Sequence, residues 1–179
     1  VRAAKAGRSY LTTGPFLQVR TRDGAQPGDT VRALNGQVSL QVRVQCTDWI
    51  DIDRVQVLVN GRAPKALNFT RATHPALFKD GVLKFESDIP VQLNSKDAHL
   101  IVVAFGENST LKTGYGSSPQ ASMHPIAYHN PIYVDVDGNG FQPNGDMLDF
   151  EHTGCSMTDD RIDARIHVQV SGEVVRLAT

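Results

Sequence analysis

The clearest chemical spacing in the chain lies in Asp135-Val136-Asp137-Gly138-Asn139-Gly140-Phe141-Gln142-Pro143-Asn144-Gly145-Asp146. It sets oxygen-bearing side chains at loop positions 1, 3, 5 and 12, with Gly at position 6 and the Phe141 carbonyl at position 7, which is the spacing of an EF-hand-like calcium loop. A hard cation needs several oxygens converging from a tight reversal, and glycine supplies the backbone freedom for it. The candidate calcium ligands are therefore Asp135, Asp137, Asn139, Phe141 and Asp146. Three departures lower the expected affinity: Asp146 is shorter than the usual bidentate Glu, Gln142 replaces an apolar residue, and a strand precedes the loop. The run Asp137-Gly138-Asn139-Gly140 is equally what a plain tight turn demands. Both readings stay open, and an occupied site would brace the loop rather than catalyse.

No other spacing promises catalysis. His74, His99, His124, His129, His152 and His167 form no HxH or HExxH pattern, and His124 and His129, which share a Pro-containing loop, suit packing better than metal ligation. No Ser or Cys stands in a nucleophile elbow. Cys46 ends an alternating strand on its apolar side and reads as a small buried hydrophobe, and Cys155 lies in an unrelated context. No catalytic residue is assigned.

The elements that must position the loop are strands. Val38, Leu40, Val42, Val44 and Cys46 interleave with polar residues, the pattern of a half-buried antiparallel strand. Val55, Val57 and Val59 lead into Asn60-Gly61, which favours a tight hairpin with a return strand through Ala66 to Thr70. Leu83 and Phe85 alternate with Lys84 and Glu86, while Leu100 to Phe105 is apolar throughout, as in a strand covered on both faces. Near the C-terminus, Ile162 to Val170 alternates and Val174 to Leu177 pairs back as a hairpin. Many short strands without helical periodicity predict an all-β fold, a two-sheet immunoglobulin-like antiparallel β-sandwich with long loops at Gly106 to Pro131 and Gly138 to Asp160. Only Val1 to Ala6 reads as helix, capped by Gly7, the remnant of a longer upstream helix.

With 179 residues, 40% hydrophobic and 21% charged, the chain is long enough for one well-buried domain. A formal net charge of −1 offers no basic stripe for nucleic acid. No apolar run reaches the ~20 residues of a membrane-spanning helix. Neither charge nor hydropathy sets a compartment, and a soluble protein, periplasmic or secreted included, is consistent with both. Trp49, Tyr115 and Tyr128 are the aromatic residues available for a ligand platform, with core or edge packing the expected fate of Trp49.

The stretch Ala6-Gly7-Arg8-Ser9-Tyr10-Leu11-Thr12-Thr13-Gly14-Pro15-Phe16-Leu17 resembles the junction that ends the catalytic domain in metallohydrolases like the polymerase and histidinol phosphatases, of the CehA/McbA type. Ala25 to Asp29, Val55 to Gly61 and Asn130 to Asp135 resemble the downstream pattern of the same family, in the same order, so the likeness spans about residues 1 to 145. It implies a C-terminal β-sandwich following an upstream catalytic domain, in which His and Asp ligands hold divalent metals that activate water for ester or phosphoester hydrolysis. Those ligands belong upstream, and no catalytic residue transfers to this chain. Arg8 is the candidate interface residue toward that domain.

The organisation expected is a junction at 1–14, a sandwich at 15–135, an Asp/Gly-rich loop at 136–160 and a hairpin at 161–179 completing the sandwich. The expected function is a non-catalytic accessory module of a larger metal-dependent hydrolase, with that upstream domain of the same polypeptide as its partner. The alternative is a free-standing or surface binding module for carbohydrate or protein, with calcium bracing the Asp135 loop.

Overall fold

The computed structural model describes residues 1–145 and four short strands beyond them, Met157–Thr158, Arg161–Ile162, His167–Val170 and Glu173–Arg176. The chain divides into two compact units, Val1–Asn144 and Gly145–Thr179. The first is a two-sheet β-sandwich. In the second, Met157–Thr158 pairs with Arg161–Ile162, and His167–Val170 pairs with Glu173–Arg176, both antiparallel. The latter pair falls within the terminal hairpin expected from the alternation, whose first strand was expected to span Ile162 to Val170.

The smaller sheet of the sandwich orders β2 (Phe16–Thr21), β4 (Gln37–Gln45) and β7 (Leu83–Gln92) antiparallel. The larger is built on β8 (Ala98–Phe105). One edge of β8 carries β5 (Arg54–Val59) and then β6 (Asn68–Thr70). The other edge carries β9 (Ile126–His129) and β10 (Ile132–Asp135) in succession. Outside these lie β1 (Tyr10–Thr12), antiparallel to β9, and β3 (Thr30–Arg32), parallel to β10. The helices are single turns, α1 at Arg2–Lys5 and α2 at Lys112–Tyr115.

Period-two alternation builds the core. Leu40, Val42, Val44, Phe85 and Ile89 from the smaller sheet meet Val55, Val57, Leu100, Val102 and Ile132 from the larger, all essentially inaccessible to water. At roughly 1.5–3 kcal/mol for each buried large aliphatic or aromatic side chain, this interface is the main source of stability. Asn60 (φ 51°) and Gly61 (φ 78°) make the two-residue turn predicted for the hairpin, closed by mutual hydrogen bonds between Val59 and Arg62. The return strand begins at Asn68 because Lys65–Leu67 forms a 3-10 turn.

Three local expectations change. Lys84 is buried beside Phe85 rather than facing out, because the β4–β7 register shifts at Val44/Gln45 and Lys84 falls in the irregularity. Its Nζ lies 3.7 Å from Asp51 Oδ1. The expected long loop from Gly106 contains β9, a short strand that four residues between Pro125 and Asn130 did not announce. On β8, Ala98, Leu100, Val102 and Ala104 are buried, whereas Ile101, Val103 and Phe105 keep partial exposure, so the strand is covered on one face only.

Candidate functional site

The Asp135 loop follows β10, and its carboxylates are organised by hydrogen bonds from the backbone. Asp135 Oδ1 accepts from the Gly138 N–H at 2.6 Å and Oδ2 from the Gly140 N–H at 3.1 Å. Asp137 accepts from the Asn139 N–H and from Asn139 Nδ2, at 3.1 and 2.8 Å. The third carboxylate is Asp97, just before β8, which accepts from the Val136 N–H at 2.8 Å and the Gln142 N–H at 2.7 Å. Asp97, Asp135 and Asp137 bring ligand-capable oxygens within 4.8 Å of one another, the only such cluster among the described residues. Asp97 and Asp135 are buried and Asp137 is exposed. Arg32 on β3 offsets part of the charge, with Nε 3.9 Å from Asp135 Oδ2 and a hydrogen bond from its guanidinium to the Gly138 carbonyl.

Of the calcium candidates, Asp135 and Asp137 are therefore brought together. Asn139 turns its side chain onto Asp137, and the Phe141 ring packs on Tyr133 with centroids 4.8 Å apart. Asp146 lies outside the described residues. Asp97 escaped the sequence reading because no local spacing connects the start of β8 to a loop after β10; only the pairing of Ala98 with Val134 does. The donor set suits a hard cation, since it consists of carboxylate oxygens. Each carboxylate oxygen already accepts one hydrogen bond, so a cation would use the remaining lone pairs.

Three of the four stretches that carry the family resemblance, those at 6–17, 25–29 and 130–135, meet in space. Gly28 approaches α1 so closely that a Cβ there would lie 2.1 Å from the Ala6 carbonyl oxygen, and its φ of +91° also favours glycine. The Gly28 N–H donates to the Pro131 carbonyl and the Asn130 N–H to the Ser9 carbonyl. Arg8 pairs with Asp29 of its own chain, Nη2 to Oδ1 at 3.3 Å, and keeps a half-exposed side chain. The Gln26 N–H and then Arg8 hold the Asp29 carboxyl below the usual carboxylate range, against a partial desolvation. Gly7-Arg8-Ser9, Gln26 to Asp29 and Asn130-Pro131 thus form one structural junction.

The loop histidines separate. His124 Nδ1 lies 2.8 Å from the Ser109 carbonyl oxygen, whereas His129 is buried with Nε2 accepting from the Val102 N–H at 3.0 Å and Nδ1 donating to the Asn130 carbonyl. Burial pushes the His129 pKa down. His99, on β8, is also shifted down by burial. His74 Nδ1 lies 2.8 Å from the Thr73 hydroxyl. Trp49 is 42% exposed and lies over Gly114 of α2 rather than in the core.

The outer face of the larger sheet carries an apolar strip, bordered by Gln56 and Asn68 in the Val103 row and by Arg54 and Thr70 in the Phe105 row. The register sets Leu58 beside Ile101, and Leu11, Tyr128 and Val103 in one row; Ile126 and Phe105 continue the surface, with the Arg54 guanidinium carbon 5.6 Å from the Phe105 ring centroid. Leu11 and Tyr128 are 49% and 39% exposed. An apolar strip on a sheet face is a candidate interaction surface. No helix among the described residues is long and apolar enough to cross a membrane. No protein-family model, curated protein or solved structure matches the chain.

Proposed function

We propose that this chain is a non-catalytic accessory β-sandwich that packs beside a larger metal-dependent hydrolase domain of the same polypeptide. The observation that carries the reading is the apolar strip on the outer face of the larger sheet formed by Ile101, Val103 and Tyr128. Water contact along β8 is unfavourable for these side chains, and covering them with a neighbouring domain would stabilise both. The junction of residues 6–17 supplies the identity proposed for the neighbour, through its resemblance to metallohydrolases of the CehA/McbA type. The parent's divalent metals would then sit in that domain.

The experiment expresses residues 1–179 and, separately, the polypeptide extended through its upstream reading frame. Metal-dependent hydrolysis of a nitrophenyl phosphoester by the longer protein alone is the expected result. Equal hydrolysis by residues 1–179, or an upstream frame without His- and Asp-rich metal motifs, would overturn the reading.

The Asp97, Asp135 and Asp137 cluster favours a second property, calcium bracing of the loop. Calcium would raise the unfolding midpoint of the chain by mass action, and an unchanged midpoint in millimolar calcium would remove this property from the proposal.

A further inference from the structure

The smaller sheet carries a groove on the side opposite the apolar face. It measures 770 Å³ and is lined by the outward residues of all three strands, with Arg8, Ser9 and Tyr10 on one side and Gln26 and Pro27 beside them. That volume lies within the about 300–1,000 Å³ typical of ligand sites. Strand register orders the floor into two rows, Gln18, Arg43 and Glu86, then Arg20, Gln41 and Asp88. Arg20 Nε donates to Gln41 Oε1 at 2.9 Å, and Arg43 Nε lies 3.7 Å from Glu86 Oε1. At the wall, the Tyr10 and Phe16 rings meet edge to face with centroids 6.0 Å apart, and both remain more than 40% exposed.

The chemistry of this lining selects among ligands. Carboxamides, guanidinium groups and carboxylates are planar forks that hydrogen-bond two adjacent hydroxyls at once. Tyr10 and Phe16 offer apolar ring surface for the C–H face of a sugar ring. Arg8, Arg20 and Arg43 stand with Glu86 and Asp88 in the lining, so neither sign dominates enough to select a polyion, and the exposed Tyr10 and Phe16 rings are its aromatic surface. Charges of both signs, with Arg43 paired to Glu86 and Arg20 bonded to the Gln41 carboxamide, fit an uncharged partner that is rich in hydroxyls. We propose that this groove binds a linear, neutral oligosaccharide, with Gln18, Arg43 and Glu86 reading its hydroxyls and Tyr10 packing on a ring.

The site goes beyond the accessory role proposed above: its floor is the smaller sheet and its wall includes Tyr10 of β1 and His129 of β9, and binding by residues 1–179 alone tests it apart from that role. Isothermal titration of residues 1–179 with cellohexaose, xylohexaose, mannohexaose and chitohexaose tests it, with a heparin hexasaccharide as the acidic counter-probe. At least one neutral hexaose binds with Kd of about 1 mM or tighter. Tyr10→Ala and Arg43→Ala each weaken that binding about tenfold, the factor one charge-assisted hydrogen bond or ring contact carries, while circular dichroism shows the fold retained. Both residues are exposed, so the two substitutions report separately on binding. Absence of binding by every neutral hexaose, tighter binding of the heparin fragment, or unchanged affinity in both variants would each overturn the proposal.

Discussion

Replacing Asp97 with Ala removes the acceptor of two backbone amides, Val136 at 2.8 Å and Gln142 at 2.7 Å. The Val136 bond is buried, so its N–H cannot turn to water, whereas the Gln142 amide is only partly buried and can be rehydrated. A hydrogen bond to a charged group contributes ~1.5–3 kcal/mol, and a stranded buried donor costs ~1–3 kcal/mol. Relief of repulsion from Asp135 and Asp137 acts in the opposite direction but leaves the stranded amide unpaired. The net expectation is a loss of about 3 kcal/mol for Asp97→Ala, and of about half that for Asp97→Asn, which keeps one acceptor oxygen. Urea unfolding followed by tryptophan fluorescence reads this as a fall in midpoint of about 1–2 M at an ordinary m-value. An Ala variant within about 0.5 kcal/mol of the parent would refute the claim that Asp97 ties the Asp135 loop to β8. An Asn variant as damaged as the Ala variant would shift the cause from acceptor count to charge.

Three further outcomes follow from the same structure. Burial lowers the His129 pKa from its ordinary 6.5, so the unfolded chain binds the proton first; stability is full above about 6.5 and declines as pH falls toward the folded value. The midpoint in urea should therefore drop between about pH 7.5 and about pH 5.5, and His129→Gln should flatten that drop to the share left by His99; an unchanged slope contradicts the assignment. The Cys46 thiol, buried and raised to about 11, donates to the Ile50 carbonyl, so peptide mapping should find it unalkylated by iodoacetamide in the folded chain near neutral pH and fully alkylated in urea. Gly28→Ala should destabilise by at least the ~1–3 kcal/mol of a strained backbone conformation, because its Cβ would also meet the Ala6 carbonyl; a thermal midpoint equal to that of the parent would show that the junction can move aside.

The sandwich was legible wherever one residue in two had to be apolar. Val38 to Cys46 declares its buried face because a strand half in water needs that alternation, and Asn60-Gly61 declares its turn because two successive residues there take positive φ. What stayed hidden depends on partners distant in sequence. Lys84 looked outward until the register shift beside it turned it in, and β9 is too short to show a period. The apolar run of β8 read as doubly covered because every position from Leu100 to Phe105 is apolar, whereas Ile101, Val103 and Phe105 keep partial exposure. At the candidate metal loop, Asp135 and Asp137 were visible from spacing, while Asp97 enters only through the β8–β10 pairing. The two Asp97 bonds, like those from Glu107 and Asn108 to Asp53, show carboxylates serving as loop anchors whose ligands are backbone amides.

The most direct test of the accessory role is hydroxyl-radical footprinting of the outer face of the larger sheet in residues 1–179 and in the polypeptide extended upstream. Leu58, Ile101, Val103, Phe105 and Tyr128 should be labelled in the shorter chain and strongly protected in the longer one, while Arg43 on the smaller sheet labels equally in both. Equal labelling of Ile101, Val103 and Tyr128 in the two proteins would contradict the account, since the face would then have no neighbouring domain to cover it.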